Sequence, residues 1–264
     1  MTDSTPPGEQ NTDKDMLPFA APCKTLQIEA PLRWLRLGWQ DLRRAPKQSL
    51  SYGALLVVIS YLVAGLAITF GNWVVLLALL SGFVFVGPIL ALAFYDISKQ
   101  LQNDRSPTLA NSLRASLRHI GNQMVFAVIL TVIFLVWARA ASMTHVFFPA
   151  MSSPELADLA LFLGVGSAIG SVFATIVFSV SAFSLPMIID RDADMVTAVV
   201  TSFNAVLRNK AVMVVWVLLI VAAVGIGIAT AFIGLAVTLP LIGHATWHAY
   251  RETIDASAWP RHAE

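Results

Sequence analysis

Two histidines near the end of the chain have the spacing of a metal-binding pair. His244 and His248 are four residues apart, so on a helix both rings lie on one face, one turn apart. Imidazole nitrogens are common zinc ligands, and this spacing permits two of them to hold one ion. Two ligands are not a complete site, and the glutamate of the strong zinc motif is absent between them. The competing interpretation is a pair of hydrogen-bonded histidines.

A second regular pattern consists of hydroxyl side chains at every fourth position, which are Ser167, Ser171, Thr175 and Ser179. On a helix they form a polar stripe, which could line a path for a solute. Gly166, Gly170 and Ala174 lie alongside, and small residues with hydroxyl neighbours also let two membrane helices pack closely. Packing is the favoured interpretation, and a polar path is the alternative.

Both patterns lie in long segments without Asp, Glu, Lys or Arg. Lys47 and Asp96 are separated by 48 such residues, and runs of 20, 31 and 40 follow at His119–Ala138, Leu159–Ile189 and Ala211–Tyr250. A charge at the bilayer centre costs roughly 2.5–3.5 kcal/mol, so runs of this length indicate membrane spans. Composition agrees, because only 12% of the residues are charged, against about 25% in soluble domains.

The lengths of these runs predict six spans. A helix needs about 20 residues to cross about 30 Å of hydrocarbon. The first and last runs are each long enough for two crossings, and the other two for one each. The predicted spans are about 49–70, 73–95, 120–138, 159–189, 211–229 and 231–250.

The basic residues predict the orientation of the chain. If both termini are cytoplasmic, 16 of the 17 Lys and Arg residues lie on the inner side, and only Arg139 lies outside. We therefore expect a multi-pass membrane protein with both termini in the cytoplasm. The proline-rich segment 1–31 is predicted to be a disordered cytoplasmic tail, 32–251 a membrane domain, and 252–264 a short cytoplasmic tail.

A repeated pattern predicts how the spans are organised. Amphipathic helices are expected before the odd-numbered spans, beginning near Leu32, at Ser106 and after Asp194. The even-numbered spans carry a proline in their inner halves, at Pro88, Pro186 and Pro240. The expected fold is therefore an all-α polytopic membrane bundle of six transmembrane helices, arranged as three tandem two-helix hairpins, each preceded by an interfacial amphipathic helix.

Several aromatic and basic residues flank the predicted spans and are expected to contact lipid headgroups, because Trp, Tyr and Arg are enriched there. They are Trp39, Arg43, Arg44, Trp247, Tyr250 and Arg251. In the first amphipathic helix the predicted apolar face consists of Leu32, Leu35, Trp39 and Leu42. The lone Cys23 excludes an internal disulfide. A net charge of +1 argues against nucleic acid as a partner.

Short motifs along the chain resemble a known family. They are Gly38-Trp39 with Asp41 and Pro46, Gly82-Phe83 with Pro88, Ser184-Leu185-Pro186-Met187 with Asp190-Arg191, and the closing string Gly243–Arg251. Over about residues 32–252 the chain resembles the bacterial integral-membrane family catalogued as domain of unknown function 2189. The resemblance implies an inner-membrane protein without an established activity and supplies no catalytic residues.

These patterns favour a non-enzymatic membrane component that binds lipid or partner helices. No phosphate-binding glycine loop, nucleophile elbow or paired catalytic carboxylates occur, and no cofactor is expected. The partners expected are the lipid bilayer and other membrane proteins. One alternative is a small-solute transporter or channel using the hydroxyl stripe. The other is a metal- or haem-handling accessory protein of a respiratory complex, using His244 and His248.

Overall fold

The computed structural model describes residues 18–69, 89–108, 112, 120–147 and 156–262. The described residues are helical apart from connections and two isolated bridges, Cys23 with Ile254 and Arg191 with Arg261. The expected all-α class is therefore confirmed for this part of the chain. The helices are α1 Ala30–Arg44, α2 Pro46–Thr69, α3 Leu92–Gln102, α4 Ile120–Phe147, α5 Leu156–Ser181, α6 Ser184–Asp190, α7 Met195–Arg208, α8 Lys210–Ala229 and α9 Leu235–Thr253.

Among the described residues, four segments are long and apolar enough to cross a membrane. They are Pro46–Leu66, Gly121–Met143, Ala160–Asp190 and Lys210–Ala229. They coincide with the predicted spans 49–70, 120–138, 159–189 and 211–229. The predicted span 73–95 lies mostly outside the described residues, and 231–250 forms α9, which is not among the four. The six-span count and the three-hairpin repeat stay predictions.

The longest of these segments is a broken helix. A short turn at Ala182 and Phe183 separates α5 from α6. Ala182 lies four residues before Pro186, whose ring lacks an N–H and clashes with the carbonyl at that position in a regular helix. Ser202 of α7 supplies hydrogen bonds to the backbone at this break. The Phe183 N–H donates to Ser202 Oγ over 3.0 Å, and Ser202 Oγ donates to the Ser179 carbonyl over 2.8 Å. The freed backbone groups are thus satisfied inside the protein, as a membrane requires.

Helix α9 is the centre of the packing and contacts α1, α2, α3, α6 and α8. Glycines lie at its closest crossings. A Cβ on Gly38 of α1 would lie 2.7 Å from the Ala245 nitrogen, and one on Gly53 of α2 would collide with a carbonyl of α9. Gly243 of α9 lies equally close to Phe94 of α3. No side chain fits at these glycines, so the helices can approach each other closely.

The first amphipathic helix is present, and a second, partly polar side of it packs against the protein. Leu32 is 58% exposed and Trp39 is 43% exposed, whereas Trp34, Gly38 and Asp41 are buried against α9. The reason is that α9 offers polar partners to this face. The Trp34 indole N–H donates to Glu252 over 2.8 Å, and a paired polar group can be buried at little cost.

The other two amphipathic helices have different outcomes. Helix α7 begins directly after Asp194, as expected, and the Asp194 carboxylate accepts a hydrogen bond from the Thr197 N–H over 2.9 Å. This is an N-cap, the usual beginning of a helix. The helix predicted to begin at Ser106 lies largely outside the described residues.

The prediction of a disordered segment over 1–31 is wrong for its described part, 18–31. The Ala21 N–H donates to Thr201 Oγ1 and the Leu26 N–H donates to Asn209 Oδ1, both over 2.9 Å. The composition of this segment is typical of disorder, but acceptors far away in sequence fix its backbone. Residues 254–262 also pack against the bundle, where Trp259 is 2% exposed. Burial raises the pKa of the free Cys23 thiol, while Arg208 acts in the opposite direction.

Candidate functional site

His244 joins three helices through a buried polar contact. Its side chain is fully buried in α9. Nε2 lies 2.9 Å from Ser49 Oγ of α2, and Nδ1 lies 2.8 Å from Ser98 Oγ of α3. The edge of the Phe94 ring packs against the imidazole, with centroids 5.6 Å apart. Both ring nitrogens therefore have partners, and the imidazole ties α2, α3 and α9 together.

His248, one turn later, makes the corresponding contact with α1. Its Nε2 lies 2.8 Å from Asp41 Oδ2, and its Nδ1 lies 3.4 Å from Gln102 Nε2 of α3. The Asp41 side chain is 6% exposed and the His248 side chain 11%. These contacts support the hydrogen-bonded interpretation of the histidine pair. No cluster of three or more metal-ligating side chains occurs among the described residues, and a metal at His244 and His248 stays a prediction.

A third polar cluster surrounds Asp190 at the end of α6. One carboxylate oxygen accepts hydrogen bonds from Tyr250 Oη and Arg251 Nη1, both over 2.9 Å, and from Arg191 Nε over 3.2 Å. The Asp190 side chain is only 6% exposed. Sequence analysis missed this cluster, although Asp190-Arg191 and Arg251 all belong to the motifs that carry the family resemblance. Two guanidinium groups and a phenol therefore neutralise one buried carboxylate.

The residues expected to contact headgroups divide into two sets. Trp247 and Tyr250 are each 1% exposed, so neither lies at the surface where an interfacial anchor must be. Their burial follows from the position of α9 at the centre of the bundle. The remaining four residues keep exposed positions: Trp39, Arg43, Arg44 and Arg251. The Arg43 guanidinium lies over the Trp39 ring, 6.0 Å from its centroid.

The hydroxyl stripe of α5 satisfies its own hydrogen bonds. Ser171, Thr175 and Ser179 each donate over 2.7 Å to the carbonyl four residues earlier. Ser167, Ser171 and Thr175 are exposed, and Ser179 alone is buried. A Cβ added at Gly166 or Gly170 would meet nothing within 4 Å among the described residues. The helix packing expected along this stripe is therefore not formed by the described part of the chain.

A cavity of 480 Å³ opens where α3, α6 and α9 end. Basic side chains dominate its wall, together with the Trp247 ring and Asp190. The cavity adjoins the histidine contacts, because Gln102 both lines it and contacts His248. The sequence patterns did not predict this cavity, since its residues come from four separate segments that only the fold brings together.

Apolar spans with exposed apolar side chains, joined through buried polar contacts, define an integral membrane protein. The family described as "predicted integral membrane protein (DUF2189)" matches residues 75–190. Over that segment the chain is similar to this family, and the resemblance found in the sequence is confirmed there. The segment contributes Ser98, Gln102 and Asp190 to the polar contacts described above. No curated protein and no solved structure matches the chain.

Proposed function

We propose that this protein is a non-enzymatic component of the bacterial inner membrane that uses α1 to bind anionic lipid headgroups or partner helices. The proposal includes six spans and two cytoplasmic termini, as the lengths of the uncharged runs and the basic residues predict. Helix α1 supports this proposal because its two sides have different surroundings. One side is fixed to α9, and the other is exposed.

The exposed side of α1 has the composition of a lipid-binding surface. Leu32, Arg36, Trp39 and Arg43 follow one another at positions i, i+4, i+7 and i+11, and all four are exposed. Tryptophan and leucine at this depth insert between headgroups, while the arginines pair with phosphates. Each basic residue near an anionic leaflet contributes roughly 1 kcal/mol. The single observation that supports the proposal most is the exposed pair formed by the Arg43 guanidinium and the Trp39 ring, 6.0 Å from guanidinium to ring centroid.

The two alternatives receive less support from the contacts. A polar path needs hydroxyl groups that face a passing solute, whereas those of Ser171 and Thr175 are already bonded to their own helix. A metal site needs free imidazole lone pairs, whereas His244 and His248 contact protein partners through all four ring nitrogens.

The proposal is tested by reconstituting the protein in nanodiscs that mix phosphatidylglycerol and phosphatidylcholine. Native mass spectrometry then gives the ratio of the two lipids that stay bound. We expect enrichment of phosphatidylglycerol, and a reduction of about fivefold for each of the substitutions Arg36→Gln and Arg43→Gln.

The matched control is Arg139→Gln, which removes an exposed basic residue predicted on the outer side. This variant is expected to retain the preference of the unmodified protein. Equal retention of both lipids by the unmodified protein contradicts the lipid version of the proposal. Co-purification of a larger complex in mild detergent, lost in Trp39→Ala, supports the version in which α1 binds a partner protein.

A further inference from the structure

The cavity at the ends of α3, α6 and α9 has the size of a ligand site. Its volume of 480 Å³ falls within the roughly 300–1,000 Å³ of small-molecule pockets. Trp247, Gln102 and Asn103 also line the cavity, and Gln102 and Asn103 are exposed. A group as small as a phosphate or a phosphodiester fits such a space with room for water.

The charge of the cavity wall favours an anion. Four basic side chains line it, Lys99, Arg105, Arg251 and Arg261, against two carboxylates. One carboxylate, Asp190, already accepts hydrogen bonds from three side chains. The other, Asp104, is 95% exposed and lies 3.8 Å from Arg44, a basic residue that does not line the cavity. The basic groups therefore outweigh the acidic groups in the interior of the cavity.

Helix ends could oppose an anion here, because a helix C-terminus carries about half a negative charge on its unpaired carbonyls. The carbonyls around this cavity are already paired with donors from the protein. Lys99 Nζ donates to the Ile189 carbonyl over 2.7 Å, and His262 Nε2 donates to the Ile188 carbonyl over 2.8 Å. The Arg105 N–H closes the end of α3 on Gln100 over 3.0 Å. This pairing weakens the negative end of each helix.

We propose that this cavity binds a phosphate-bearing anion, which is either the headgroup of an anionic lipid or a soluble phosphate. Guanidinium groups match phosphate oxygens in planar, two-point hydrogen bonds, so Arg105, Arg251 and Arg261 suit this ligand better than a simple halide. The lipid source deepens the proposed function and rests on it, while the soluble source is independent of it. The site differs from the exposed side of α1 in position and in residues.

The test uses the full chain in two settings. In detergent, isothermal titration calorimetry with inorganic phosphate measures the soluble source. In phosphatidylglycerol nanodiscs, native mass spectrometry counts lipids that survive collisional activation. The test variant combines Arg105→Gln and Arg261→Gln, which are both exposed positions, and size-exclusion chromatography checks that it folds. Arg139→Gln is the control, because it removes an exposed basic residue of α4 that belongs neither to the cavity nor to the exposed side of α1.

We expect the double variant to lose about tenfold or more in phosphate affinity, or to lose one tightly held phosphatidylglycerol, while Arg139→Gln retains both. The first result identifies a soluble phosphate, and the second a lipid headgroup. If the double variant matches the unmodified protein in both measurements, the cavity proposal is overturned even where Arg43→Gln lowers the lipid preference in mixed nanodiscs. Conversely, an effect of the double variant together with an unchanged lipid preference in Arg43→Gln supports the cavity and contradicts the function proposed for α1.

Discussion

Helices α9 and α5 both carry polar side chains four residues apart, and they satisfy these groups in opposite ways. In α9, His244 and His248 bond to side chains of α1, α2 and α3. In α5, Ser171 and Thr175 donate to carbonyls of the same helix, one turn back. The spacing is the same, so the surroundings of each helix decide. The helices around α9 offer polar partners, whereas Ser171 and Thr175 are exposed and bond to the backbone of their own helix.

The glycines of the two helices show the same difference. An added Cβ would collide with another helix at Gly243 of α9 and at Gly38 of α1, the helix that packs against α9. Gly166 and Gly170 of α5 face nothing within 4 Å among the described residues. A regular pattern of small and polar residues thus marks the centre of the packing in one helix and an exposed surface in the other. Four experiments can break or sharpen this comparison.

The largest effect is expected from Gly38→Leu. The added side chain would meet the Ala245 nitrogen and the Leu241 carbonyl oxygen, which are backbone atoms that cannot move aside. We expect α1 to separate from α9, with a loss of about 3 kcal/mol or more, at the upper end of overpacking effects. Unfolding in mixed micelles with increasing dodecyl sulfate measures the loss.

The matched control for this experiment is Gly170→Leu on α5. Its Cβ enters open space, and leucine is the better helix former by about 1 kcal/mol. Stability should therefore stay equal or rise. A large loss at Gly170, or none at Gly38, contradicts the distinction between a packed and an unpacked glycine.

The second experiment replaces His244 with leucine, which removes the partner of two buried serine hydroxyls. We expect a loss of about 1–3 kcal/mol, the cost of leaving buried polar groups unpaired. A double-mutant cycle with Ser98→Ala isolates the contact itself, and we expect a coupling of about 0.6–1.7 kcal/mol, as for other hydrogen bonds between membrane helices. Zero coupling would mean that His244 acts through its volume and not through its nitrogens.

The third experiment concerns a polar contact outside the spans, the N-cap of α7. We expect Asp194→Ala to cost about 1 kcal/mol, because the Thr197 N–H loses its acceptor. Burial alone raises the pKa of Asp194, but the hydrogen bonds from Thr197 outweigh it and lower that pKa.

This carboxylate therefore stabilises the protein above the ordinary pKa of an aspartate, and its contribution disappears as the pH falls through the lowered pKa. The difference in stability between the unmodified protein and Asp194→Ala should accordingly shrink in acid. Asp192→Ala, an exposed neighbour, is the control and should show little effect at either pH. A difference that is the same at neutral and acid pH contradicts the cap.

Sequence patterns predicted the parts of this molecule that depend on local physics. Uncharged runs located four apolar segments, and Asp194 located the beginning of α7. The patterns did not predict what depends on neighbours in space. Trp34 and Asp41 are buried because Glu252 and His248 lie opposite them, more than 200 positions later. The cavity was missed for the same reason, since its wall comes from four segments.

The smallest effect is expected from Ser171→Ala, and Ser202→Ala makes the comparison direct because both remove one serine hydroxyl. Ser171 is exposed and donates to its own helix, so we expect a change within about 0.5 kcal/mol. Ser202 is fully buried and bridges α7 to the break between α5 and α6. Its loss leaves the Phe183 N–H without an acceptor, and we expect a cost of about 1–3 kcal/mol in the same unfolding measurement.

Equal effects of Ser171→Ala and Ser202→Ala would mean that α5 has a partner for its hydroxyl stripe in the membrane. A loss of solute flux in Ser171→Leu would then favour the transporter alternative. A clear difference instead means that the stripe is a self-satisfied surface, and that the polar contacts holding this fold together are those that cross from one helix to another.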